Sequence, residues 1–130
     1  GLENKVVMLF PKVFWPPKTQ FLHSINHLRY IFLNLSAFGK GAILVAHMPP
    51  PYSYQVEKLS DEEVLEDVLG VLRWMYGKEV VPTPLEYTVT RWGSDEFCRG
   101  SYSFVPVGSS INTARVLGEE EWDGQLQFAG

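Results

Sequence analysis

Between positions 59 and 77 the chain reads LSDEEVLEDVLGVLRWMYG, and no other stretch restricts its fold as tightly. Ser60 stands where a helix needs its N-cap, and Glu63 follows at the spacing that lets each side chain satisfy the other's orphan backbone N–H. Asp61, Glu62 and Glu63 put negative charge at the positive end of the helix dipole. Val64, Leu65, Val68, Leu69, Val71, Leu72 and Met75 recur with helical period, and Gly77 suits a left-handed stop. A helix over residues 61–76 is predicted, with a broad apolar stripe that another layer must cover.

The rest of the chain favours strands. KVVMLF (5–10), closed by Pro11, is a continuous apolar run of the kind found in strands buried on both faces. QFLHSI, LRYIFLNL (strand over 29–35) and AILVAHM are three further strand segments. LEYTVTRW (85–92) and GSYSFVPV (100–107) read as a hairpin joined by GSDEFCR, and QLQFAG as a final strand. MPPPYSY is expected to break regular structure, and INTARVLGEEEWDG to hold one short helical turn. The expected class is α+β: a mixed, largely antiparallel β-sheet with one long amphipathic helix.

Composition narrows the function. Of 130 residues 45% are hydrophobic and 20% charged, enough for a packed core without disulfide or metal staples. The net charge of −4 and the absence of a Lys/Arg run argue against direct nucleic-acid binding. No apolar run approaches the roughly 18 residues of a membrane span, so no membrane contact is expected. The chain lacks an initial Met and stops just after an apolar alternation, so it is expected to be a segment of a longer protein.

Most tempting chemical signals fail. His23 and His27 have no third ligand nearby in sequence and read as surface or satisfied core histidines rather than a metal site. His47, beside the triple proline, has no partner in sequence. GKG (39–41) leads into a strand, whereas phosphate binding needs a helix N-terminus. Cys98 has no activating arrangement and reads as a buried or half-exposed thiol. GSS (108–110) is not a nucleophile elbow.

NKVVMLF…VFWPP, YIFLNL, the capped helix and TRWGSDEFCRGSYSFVPVGSS, followed by LQFAG, together resemble the flavin-dependent amine oxidases. The likeness is to the lysine-specific histone demethylases and polyamine oxidases, and it covers nearly the whole chain. It implies the substrate-binding lobe of a two-lobed FAD enzyme, about residues 1–108, with 109–130 beginning the return to the FAD-binding lobe. That second lobe of the same protein would be the missing partner, because no G-x-G-x-x-G fingerprint occurs here. The fragment alone is therefore expected to be inactive.

The resemblance also assigns roles. Lys5 resembles the lysine that holds a water against the flavin N5 atom, making it the catalytic candidate. Trp92 and Tyr102 match aromatics that face cofactor and amine, where aromatic faces attract a desolvated ammonium. Phe97 and Phe104 are read as core. Trp92 and Gly130 are the cofactor-binding candidates. Leu33 occupies a substrate-facing position that is typically Trp in the demethylases, and HMPPPYSY replaces a short Gly/Ala segment, altering the expected cavity rim. The implied substrate is a methylated lysine peptide or a polyamine, oxidised to an imine with release of peroxide. The implied location is intracellular: nuclear for a demethylase, otherwise cytoplasmic or peroxisomal. The rival reading is a noncatalytic module whose aromatic wall binds methyl-ammonium groups.

Overall fold

The computed structural model describes residues 1–128, in two compact units: residues 2–101, and residue 1 with the chain from 102 onward.

In the larger unit the strand segments collapse to shorter strands: β1 (Asn4–Leu9), β2 (Phe21–His23), β3 (Ile31–Asn34), β4 (Ile43–Met48) and β5 (Glu86–Val89). They form one sheet in the order β2-β3-β4-β1-β5, and every neighbouring pair is antiparallel. The expected mixed character is therefore absent among the described strands. β2, β3 and β4 follow one another as a meander, and the helical crossover leads from β4 to β5, which are not neighbours.

That crossover contains α2 (Asp61–Tyr76), with the capping box formed in both directions. The Ser60 hydroxyl accepts the Glu63 N–H at 3.2 Å, and the Glu63 carboxylate accepts the Ser60 N–H at 2.8 Å. Gly77 closes the helix at φ 96°, a conformation that strains any residue with a Cβ. Val64, Leu65, Val68, Leu69, Val71 and Leu72 are buried in one core with Val6, Met8, Phe32, Leu44, Ala46 and Met48 of the sheet. β1 thus alternates: Asn4, Val6 and Met8 lie inward, while Val7 is 37% exposed. Among the described residues of this unit one helical layer packs on the sheet, so the expectation that the strand is covered on both faces is corrected for this unit.

Loop residues lock the frame. Phe10, Phe14 and Trp15 pack edge to face with centroids 4.7–5.7 Å apart. The buried Asn34 amide is the clamp: its oxygen accepts Trp15 Nε1 at 2.7 Å and Ser36 N at 2.9 Å. Its nitrogen donates to the carbonyls of Pro16, Pro17 and Thr19. After the prolines the chain is not irregular as expected. It forms the single turn α1 (Tyr52–Val56) directly behind Pro51, since proline is tolerated at a helix start.

The expected late hairpin does not form. β5 ends at Val89, and the Asp95 carboxylate accepts the backbone N–H groups of Phe97 and Cys98, folding the segment into turns. Phe97 is 89% exposed and Cys98 is exposed, so neither is in the core. In the smaller unit Phe104 is also exposed, and residues 102–107 form no strand; Pro106 lacks the N–H that a paired strand would use. This unit contains α3 (Asn112–Leu117) and, in place of a final strand, an isolated antiparallel bridge between Glu121 and Leu126.

Candidate functional site

Residues paired across an antiparallel sheet stand on the same face, so the register maps what faces away from α2. One row contains Phe21, Leu33, Val45, Val7 and Thr88; the next contains His23, Ile31, His47 and Lys5. Phe21 is 58% exposed, and Ile31, like Val7, is half-exposed. Within this unit the face is largely apolar, with a polar cluster of Glu3, Lys5 and His47 towards one end and Glu86 opposite Leu9 towards the other.

Lys5 is half-buried. Its backbone N–H donates to Thr90 Oγ1 at 2.8 Å, and its carbonyl accepts the Thr90 N–H at 2.9 Å. Both main-chain groups thus point to the β5 side, which makes Lys5 and His47 a non-hydrogen-bonded pair, the kind in which side chains stand closest. No ion pair engages the ammonium among the described residues.

His47 was given no partner by sequence reasoning, yet its Nδ1 lies 2.5 Å from Glu3 Oε1. Its Nε2 is buried and has no hydrogen-bond partner. The available signal was the alternation of Glu3 and Lys5, which puts both charges on one face of a strand; the strand opposite could not be named without the register. Leu33 lies on this same face, half-buried between Phe21 and Val45.

Trp92 reaches this region through its backbone. Its N–H donates to Asn4 Oδ1 at 3.0 Å, and the Thr90 hydroxyl donates to the same oxygen at 3.2 Å. Asn4 Nδ2 in turn donates to Glu57 at 2.7 Å. Burial pushes the Glu57 carboxyl up, but hydrogen bonds from Ser94, Asn4 and the Gly93 and Ser94 N–H groups outweigh it and hold the carboxyl below its ordinary range. The Trp92 ring is 37% exposed and lines an open hollow of about 340 Å³ with Val89, Thr90, Arg91, Ser94 and Asp95. Arg91 is fixed from behind by Asp61 at 2.5 Å and by the Val56 carbonyl.

Of the site residues expected from the sequence, Lys5 and Leu33 therefore share one sheet face, and Trp92 is tied to the residue preceding Lys5. Tyr102 belongs to the smaller unit; its ring lies against Gly1, where any side chain would collide with it. Gly130 lies outside the described residues. No group of three or more His, Cys, Asp or Glu is arranged to hold a metal among the described residues. No helix there is long and apolar enough to cross a membrane.

Comparison with known proteins gives these residues a context. The sequence profile of the flavin containing amine oxidoreductases matches residues 1–130. The chain is 38% identical over its full length to lysine-specific histone demethylase 1 homolog 2 of Oryza sativa subsp. japonica, and 37% identical to protein FLOWERING LOCUS D of Arabidopsis thaliana. A possible lysine-specific histone demethylase 1 of Drosophila melanogaster is 35% identical across 85% of the chain. The chain spans 18% of the length of the two plant relatives and 13% of the insect one. The family uses a flavin, which implies FAD in the intact protein. On the strength of the full-length profile match, the chain belongs to the flavin-containing amine oxidoreductase family.

Proposed function

We propose that residues 1–108 are the substrate-binding lobe of an FAD-dependent amine oxidase, that 109–130 begin the return to its FAD-binding lobe, and that the intact protein demethylates lysine in a peptide. The observation that carries this reading is the position of Lys5: a half-buried cation without an ion-pair partner, on an open apolar sheet face. The donor set fits a flavin ring, which is flat and largely apolar with a polar edge at N5. Phe21, Ile31, Leu33 and Val7 offer apolar surface, and Lys5 offers the single ammonium.

When bound, FAD accepts hydride from the carbon beside the amine nitrogen and is reoxidised by oxygen, releasing peroxide. Lys5 would hold a water at the flavin edge beside the position that receives the hydride, orienting it there. Trp92 presents an aromatic face to cofactor and amine, excluding water and attracting the ammonium before it loses its proton. Tyr102 and Gly130 receive their roles, a second aromatic face and a cofactor contact, from the family resemblance alone. The substrate imine is then hydrolysed by water.

The names of the plant and insect relatives support methyl-lysine as the substrate and the nucleus as the location. Leu33 supports a polyamine instead, since a smaller residue there leaves room for a thin aliphatic chain. Peroxide release by the intact protein from a dimethyl-lysine peptide and from spermine decides between them. Turnover of the peptide is expected; turnover of spermine alone would replace the substrate, and turnover of neither would end the proposal.

A further inference from the structure

Two unmet demands lie side by side on the open sheet face. The Lys5 ammonium has no ion-pair partner, and His47, directly opposite in the closest kind of cross-strand pair, has a buried ring nitrogen without a donor. The chemistry of Glu3 decides which nitrogen can do what. A carboxylate only accepts, so the 2.5 Å contact requires His47 Nδ1 to carry a proton. In the neutral ring that leaves Nε2 with a lone pair and no N–H. The groups around the ring are Glu3 and Lys5 from β1 and Ile31 from β3, with His23 one strand further along the row.

We propose that His47 is a positioning residue for Lys5: Nε2 accepts a hydrogen bond from the Lys5 ammonium, and Glu3 fixes the tautomer that makes it an acceptor. The ammonium has three donors on a flexible stem. One directed to Nε2 orients the group and leaves two for the water that Lys5 presents to the flavin. The hydrogen bond is inferred from the register that pairs Lys5 with His47 and from the unpartnered Nε2, a bond the structure itself leaves unmade; its catalytic consequence rests on the role assigned to Lys5 above. Glu3 and His47 thereby extend the site by two residues.

The hydrogen bond can be read without turnover. In the intact protein labelled with 15N-histidine, long-range 1H–15N spectra of His47, assigned by its loss in His47→Gln, are expected to show a protonated Nδ1 and a bare Nε2. The Nε2 resonance should move towards that of a free ring nitrogen in Lys5→Met, and Glu3→Gln should mix the tautomers. A protonated Nε2, or a resonance indifferent to Lys5→Met, overturns the hydrogen bond. For the consequence, His47→Leu is expected to slow flavin reduction on the order of tenfold with KM unchanged, the kinetic equivalent of about one hydrogen bond. His47→Gln, which keeps an acceptor, should recover most of that rate. Equal rates in the Leu and Gln variants would refute the positioning role, whereas normal reduction in Lys5→Met would refute the role of Lys5 itself and leave the spectroscopic result standing.

Discussion

The backbone N–H of Trp92 donates to the side-chain oxygen of Asn4 at 3.0 Å, across 88 residues of sequence. Asn4 is fully buried and also bonds Glu57 and Thr90, so one carboxamide ties the first strand, the α1 turn and the segment carrying the candidate aromatic wall. Asn4→Ala leaves these partners without their bonds in a buried setting. A loss of about 1–3 kcal/mol is expected from urea unfolding of the intact protein. An unchanged midpoint would mean that water replaces the amide.

Glu57 makes this junction acid-sensitive. Its carboxyl is held below the ordinary 4.5, so its contribution to stability is fully present above that value and is lost as pH falls through the lower folded-state value. Acid titration of stability should show a component that disappears in Glu57→Gln. An identical acid limb in that variant would dissociate the Gly93–Ser94 turn from acid unfolding.

Asn34 clamps the proline loop through five hydrogen bonds from one side chain. Asn34→Ala strips the buried Trp15 indole of its acceptor and should cost roughly 2–4 kcal/mol, read by denaturant titration. A cost under about 0.5 kcal/mol would show that the loop holds by aromatic packing alone.

Lys5→Met removes the ammonium that the sheet register places on this face and keeps the length of the stem. Flavin turnover in the intact protein is expected to drop on the order of 100-fold, with the urea midpoint little changed. Rates at the normal level would discard the assigned role.

Trp92→Ala tests the aromatic wall. Cation–π attraction of up to about 2 kcal/mol predicts a KM for the amine raised by up to roughly 30-fold, while the Asn4 bond to its backbone survives. An unaltered KM would reduce Trp92 to a surface ring.

Where pattern and chemistry are local, they were readable in advance. The Ser60–Glu63 box, the apolar stripe of α2 and the stop at Gly77 are decided by residues within a few positions of one another. The late segment was misread for the opposite reason. Its alternating Ser, Tyr and Phe satisfy a strand pattern, but a strand also needs a neighbour, and residues 102–107 form none; Asp95 folds only the connection before them, through the Phe97 and Cys98 N–H groups. The all-antiparallel register and the uncovered face of β1 were equally hidden, because covering a strand depends on how many layers the chain supplies.

The sequence by itself determined the family and the capped helix, since these rest on residue types and short spacings. Only the tertiary structure set Lys5 and Glu3 against His47, hung Trp92 on Asn4, and separated Phe97 from the core. The first two relationships join residues tens of positions apart, and a one-residue change in the pairing of β1 with β4 would put Lys5 and His47 on opposite faces of the sheet.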